Sequence, residues 1–248
     1  MRVAQDPAFV LHARDYRETS LLLEVFTRGH GRIGLIAKGA KRPKSPVRGL
    51  LRPFQPLRLD WSGKGELATV TGAEATAPAA ALSGEGLLCA YYLNELLIRL
   101  LHRFEAHERL YDAYEGALET LCGTPARAPE ATLRVFEKRL LQELGYALVL
   151  DREPGNGRPV VAEARYRYVL QRGPVPETEA DEPGVSIAGA SLLALAAEDL
   201  SDAGSLREVK SLMRTVLDAQ LDGRPLRTRA LFQQWRKRGV SRKTGHKA

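Results

Sequence analysis

An α+β chain is what this sequence predicts: a small five-stranded β-barrel at the N-terminus, then a mainly α-helical domain with a loop-rich insertion. Three observations predict it. Over the first 80 residues, β-branched and large apolar residues recur in short runs between Gly, Pro, Asp and Arg clusters. From Ser83 onward the apolar period changes to three- and four-residue steps. Between residues 151 and 190, Pro and Gly crowd together and that period lapses. The expected organisation is therefore a barrel over 1–80 and a helical domain over 81–248, with 151–190 as the insertion and 236–248 as a flexible basic tail.

The strands are expected at Phe9–Ala13, Ser20–Thr27, Arg32–Ala37, Leu50–Trp61 and Glu66–Gly72, and Arg28-Gly29-His30-Gly31 supplies the sharpest hairpin turn. Lys38 to Arg52 is too basic and too rich in Gly and Pro to be a buried element. Leu87, Leu88, Tyr91, Tyr92, Glu95, Leu96, Arg99 and Leu100 mark a first helix. Leu110, Tyr114, Leu118 and Leu121 mark a second that Gly123 stops. A third starts at Pro129, a residue tolerated in a first helical turn, and aligns Leu133, Phe136, Leu140, Leu141 and Leu144 before Gly145. In the insertion, only Tyr166 to Leu170 alternates as a strand or hairpin would. Helical reading resumes at Ser191, and Ser205-Leu206-Arg207-Glu208 has the spacing of a capping box for a helix carrying Val209, Met213, Val216 and Leu217. A last short helix is expected around Leu231, Phe232 and Trp235.

Charge is distributed unevenly along these elements. Residues 1–80 carry 13 Lys/Arg against 7 Asp/Glu, residues 81–223 carry 15 against 23, and residues 224–248 carry 9 against none. A basic head and tail around an acidic middle make a polyanion the first partner to consider. Leu87 to Leu101 is broken by Asn94, Glu95 and Arg99, so it falls short of the roughly 20 apolar residues of a membrane span. No apolar signal core precedes Asp6 and Pro7. Cys89 and Cys122 sit in apolar helical stretches, as buried thiols do. A cytoplasmic protein that makes no use of a membrane is expected.

Two phosphate-binding patterns fail on context. Gly29 to Gly34 has the letters of a dinucleotide fingerprint, but a strand follows it where a helix is required. Gly34 to Lys41 begins like a nucleotide-cradling loop, but Ala40 stands where lysine is needed. His12, His30, His102, His107 and His246 form no zinc pair and have no obvious nucleophile partner. Glu198, Asp199 and Asp202 read as a solvated helix end and turn more readily than as a metal-binding cluster for a nuclease. No enzyme, metal or cofactor is expected.

The positive signal is Lys38, Lys41, Arg42, Lys44, Arg48 and Arg52, six cations with no acid among them, with Arg32 just upstream. Long cationic side chains on a loop of a rigid barrel suit a phosphodiester backbone. The C-terminal cations, Arg227 and Arg229 among them, invite the same reading. Tyr16, Phe54 and Trp61 are available to stack on bases, and the sequence leaves open whether each does so or packs in the core. An RNA-binding barrel is the alternative, because the same cations would serve it.

Phe9-Val10-Leu11-His12-Ala13-Arg14 with Glu18-Thr19-Ser20, Ala37-Lys38-Gly39-Ala40-Lys41, Tyr92-Leu93-Asn94-Glu95-Leu96-Leu97, Leu133-Arg134-Val135-Phe136-Glu137 up to Leu144-Gly145-Tyr146, and Pro225 to Phe232 stand in an order and spacing that resemble the RecO family of bacterial recombination mediators. The resemblance implies an OB-fold barrel and a helical C-terminal domain. It also implies binding of single- and double-stranded DNA, annealing of complementary strands without ATP, and help in loading RecA recombinase onto DNA coated by single-stranded-DNA-binding protein (SSB). The implied protein partners are RecR and the acidic, phenylalanine-ending C-terminal tail of SSB. By position, Lys38, Lys41 and Arg42 would contact DNA, and Arg134 would meet a carboxylate of the SSB tail beside a pocket of Phe136, Leu140 and Leu141; the same three apolar residues also fit a plain core stripe. Some members of the family carry a four-cysteine zinc module after the Leu-Gly-Tyr block, but Asp151 to Gly184 holds no cysteine here. The insertion is expected to be held by packing alone.

Overall fold

Five strands close into a barrel in the order β1-β2-β3-β5-β4, as the runs of β-branched residues and the hairpin turns require. They are β1 (Arg2–Tyr16), β2 (Ser20–Thr27), β3 (Gly31–Ala37), β4 (Pro56–Ser62) and β5 (Leu67–Ala75). The structure is a computed structural model that describes residues 1–63, 65, 67–123 and 129–244, the stretch 236–244 by its backbone. Antiparallel ladders join every neighbouring pair except β3 and β5, which run parallel, with Leu35 opposite Ala68. β1 is far longer than the expected Phe9–Ala13, because it pairs with β2 along one half and with β4 along the other. Two register shifts, between Val3 and Asp6 and between Val10 and His12, let it bend around the barrel. Ala8, Val10, Leu23, Val25, Ile33, Leu35, Leu57, Leu59 and Trp61 fill the interior.

The hairpin at Arg28–Gly31 is pinned from inside. Asp6 accepts bonds from the Gly29 amide at 3.1 Å and lies 2.6 Å from His30 Nδ1, which gives His30 a structural role. Gly31 has φ +66°, and a Cβ there would stand 1.7 Å from the Glu105 carbonyl oxygen, so only glycine fits.

Three helices belong to the same compact unit as the barrel: α1 (Gly84–Leu100), α2 (Glu108–Cys122) and, returning from the far end of the chain, α6 (Arg227–Thr244). Phe9 and Phe26 point out of the barrel and meet Tyr111 and Tyr114 of α2 with ring centroids 5.2 to 6.2 Å apart. The bulge at Leu11 leaves its carbonyl free of the ladder, and Asn94 of α1 donates to it at 2.8 Å while accepting from the Tyr114 hydroxyl at 2.6 Å. Both polar groups are buried, so this pair of bonds fixes α1 and α2 to the strand. The unit spans 1–122 and 226–248. The barrel strands end at Ala75 and the helices begin at Gly84, on either side of the expected boundary at residue 80, and the compact unit continues past it.

The second unit, residues 123–225, holds α3 (Pro129–Glu143), α4 (Gly189–Ala196), α5 (Ala203–Gln220) and a three-stranded sheet in the order β7-β6-β8, from Arg165–Val169, Gly173–Pro176 and Val185–Ala188. The insertion is thus more ordered than its Pro and Gly content suggests. Here β6, found where alternation marked it, pairs with a strand on each side.

The capping box is corrected. Asp202 is the N-cap of α5 and accepts from the Ser205 amide at 2.7 Å, so Ser205 lies inside the helix. Glu208 reaches away to the Ala188 amide, the Ser191 hydroxyl and Arg165, at 2.9, 2.6 and 3.0 Å, and ties α5 to β8 and α4. The flexible tail is corrected in part as well. The backbone of 236–244 continues α6, and residues 245–248, with His246, lie outside the described residues. No helix among the described residues is long and apolar enough to cross a membrane.

Candidate nucleic-acid interface

The cationic loop between β3 and β4 is held down from below. Ala40 and Leu51 are buried, and Val47 and Leu50 pack against the barrel interior. The backbone runs as successive turns, with the Arg42, Ser45, Arg48 and Leu50 amides each bonded to the carbonyl three residues back at 3.0 to 3.2 Å. The Lys41 amide donates to the Thr19 carbonyl at 2.9 Å and ties the loop to the β1–β2 turn. Apolar anchors therefore face the barrel, while Lys38, Arg42, Lys44, Arg48 and Arg52 are exposed.

An open cleft of about 890 Å³ lies between that turn and the start of the loop, lined by Tyr16, Arg17, Thr19, Ile36, Lys38 and Arg42 among others. Arg17 holds its guanidinium carbon 5.3 Å from the Tyr16 ring centroid. Gly39, at φ +67°, turns the chain out of β3, and the Arg42 side chain folds across it, 3.5 Å from the place of a missing Cβ. Lys41 meets Asp15 at 2.6 Å in an exposed pair, of a kind worth about 0 to 1 kcal/mol and open to competition from a phosphate. Among the described residues the other five loop cations have no carboxylate partner.

Arg32 is set apart from this group. It donates to the Ile98 carbonyl at 2.8 Å and lies 3.5 Å from Glu24, which also binds Arg103. Burial pulls its guanidinium below the ordinary value, in spite of Glu24. Arg32 is thus a structural cation, not part of the exposed patch. Of the three aromatic candidates, Phe54 and Trp61 are buried, Trp61 in the barrel core, and Tyr16 alone opens onto the cleft. Arg17 is a cleft cation that reading runs of charge missed; its adjacency to Tyr16 in a tight turn is the signal that could have found it.

Arg227 is exposed at the start of α6, where its amide and that of Thr228 donate to the Glu95 carboxylate at 2.8 and 2.9 Å. Arg229 is partly buried on the same helix.

In the second unit the residues of the expected peptide site are buried. Arg134 is 8% exposed and bonds at 2.6 Å to Glu137, which is fully buried one turn on. Phe136, Leu140 and Leu141 are core residues. The Arg134 charge is thus engaged by Glu137, and the apolar residues pack as the core stripe that the sequence also allowed. The acid group is likewise engaged: Glu198 holds Lys138 at 3.2 Å and Arg139 at 2.5 Å, and Asp202 caps α5. Neither Cys89 nor Cys122 forms a disulfide among the described residues; Cys89 is buried as expected, and Cys122 is only half-buried.

Comparison with known families places this geometry. The family model described as Recombination protein O N terminal matches residues 1–79, and Recombination protein O C terminal matches residues 82–230. The chain belongs to the RecO family. A DNA repair protein RecO of Nitrosococcus oceani is 48% identical over 244 residues, 98% of each chain. Proteins of the same description from Aromatoleum aromaticum and Polynucleobacter asymbioticus are 47% and 48% identical, covering 94% of this chain and 96% of theirs. As a RecO family member the chain has a role in DNA repair, and its closed five-stranded barrel with following helices is the α+β arrangement expected of an OB-fold protein with a helical C-terminal domain.

Proposed function

We propose that the chain is a non-catalytic recombination mediator. It binds single- and double-stranded DNA, anneals complementary strands without ATP, and helps load RecA onto SSB-coated DNA in the cytoplasm, at the nucleoid. RecR and the SSB tail are its protein partners. The observation that carries the reading is the loop Lys38–Arg52: six cations on a scaffold anchored to the barrel, two of them opening onto a cleft beside Tyr16 and Arg17. Complementary strands repel one another through their phosphates. A surface that neutralises phosphates lowers that barrier, and base pairing supplies the driving force.

The test is titration of a labelled unstructured oligonucleotide at several salt concentrations, without nucleotide or metal. Binding should weaken with salt by roughly 0.7 log units per log unit for each phosphate contacted. The variant Lys38→Glu/Lys41→Glu/Arg42→Glu should anneal more slowly and lose about 2 from that slope, at three contacts. An unchanged slope would sink the assignment. Competition with a matched RNA separates this reading from an RNA-binding barrel, and strand cleavage on adding magnesium would make the protein a nuclease.

A further inference from the structure

Two basic segments far apart in sequence meet on one face of α1. Tyr91 and Glu95 lie four residues apart in this helix, so their side chains stand about 5 to 6 Å apart on the same side. The Tyr91 ring meets Phe54 at 4.9 Å and 74°, two residues past the last cation of the loop. Phe54 is placed there by a left-handed backbone, φ +65°, a conformation that persists in a non-glycine residue only where its surroundings impose it. One turn along α1, the Glu95 carboxylate accepts from the Arg227 and Thr228 amides and from the Thr228 hydroxyl at 2.7 Å. This caps the first turn of α6 and compensates its positive end.

The loop therefore ends, and the basic helix begins, about one helical turn apart. The carboxylate between them is engaged by the cap and offers a passing phosphate little repulsion. Tyr91 is 42% exposed at this junction. Arg227, Leu231 and Trp235 follow on α6 at four-residue spacing, all exposed.

We propose that the loop and α6 form one track for single-stranded DNA and that Tyr91 stacks on an unpaired base where the strand crosses between them. The inference rests on the DNA-binding reading above. Stacking needs a base face, which a duplex conceals, so Tyr91 favours single strands, while the cations on either side bind both forms.

Tyr91→Leu keeps an apolar contact for Phe54 but removes the ring. It should weaken single-strand binding by roughly 5- to 50-fold and leave duplex affinity, salt slope and melting temperature as in the wild type, and Tyr91→Phe should bind like the wild type. In a second measurement, needing no variant, ultraviolet cross-linking of the wild-type protein to a 5-iodouracil oligonucleotide should label Tyr91. Equal single-strand affinity in Tyr91→Leu, equal losses for single strand and duplex, or cross-links that omit Tyr91 at saturation would overturn the stacking role while DNA binding stood. A wild type that bound neither form would overturn the function and this inference together.

Discussion

The two compact units use the same residue types in opposite ways. Residues 1–122 and 226–248 carry 24 Lys/Arg against 14 Asp/Glu, and residues 123–225 carry 13 against 16. In the second unit Arg134, Lys138, Arg139, Arg165, Arg167, Arg172 and Lys210 each meet a carboxylate within 3.5 Å. Along the barrel loop, Lys41 alone does so among the described residues. A cation with a fixed internal partner contributes to the fold. A cation held out from a rigid support repels its neighbours until an external anion arrives. The difference teaches that charge type alone does not mark a candidate binding residue; exposure and the strength of any internal carboxylate contact separate the two groups, and the exposed Lys41–Asp15 pair is weak enough to yield to a phosphate.

That contrast can be broken most severely at its buried extreme. Glu137→Ala leaves the Arg134 guanidinium buried opposite an apolar side chain and should cost about 3 to 5 kcal/mol in chemical denaturation. A loss below about 1 kcal/mol would mean that the pair behaves as a surface pair does.

A smaller effect is expected in acid. Burial pushes the Glu208 carboxyl up, but the Ser191 hydroxyl, the Ala188 amide and Arg165 outweigh it and hold the group below its ordinary 4.5. A carboxyl depressed in the folded state stabilises fully above its unfolded value and loses that contribution as pH falls through the folded one. Stability should therefore be insensitive to this group above about pH 5 and decline below 4.5. Glu208→Gln should be less stable near neutrality and show a shallower acid decline in a pH series of melting temperatures. An equally steep decline would remove Glu208 as a cause.

The smallest effect sharpens the other side of the comparison. Asp15→Asn frees Lys41 and should change stability by less than about 0.5 kcal/mol while tightening single-strand binding a few-fold. Weaker binding would show that the Asp15 contact positions Lys41 for DNA.

The barrel was legible because a strand's signals are local. Val, Ile, Leu and Phe recur in short runs, and turn residues separate them, so Ser20–Thr27 was placed to the residue. The six-cation loop was legible because like charges adjacent in sequence remain adjacent on a loop. The capping box was misread because its pattern is satisfied by spacing alone. Glu208 had better donors on β8 and α4, which lie next to it only after folding. The same holds for Phe54 and Trp61, whose stacking or burial depends on which way the barrel wall faces.

Sequence alone determined the order of the barrel strands and of the helices, the family, and the loop through which the chain is proposed to meet a polyanion, because period, turn chemistry and charge runs act over a few residues. Only the tertiary structure decided that α6 returns to the barrel unit through Glu95, that Arg32 is engaged internally by the Ile98 carbonyl, and that Tyr91 stands exposed between two basic segments. Each of those outcomes depends on a partner tens of residues or more away along the chain, or on which face an element turns outward. Closing such contacts is a property of the packed chain and leaves no local pattern in the residues that make them.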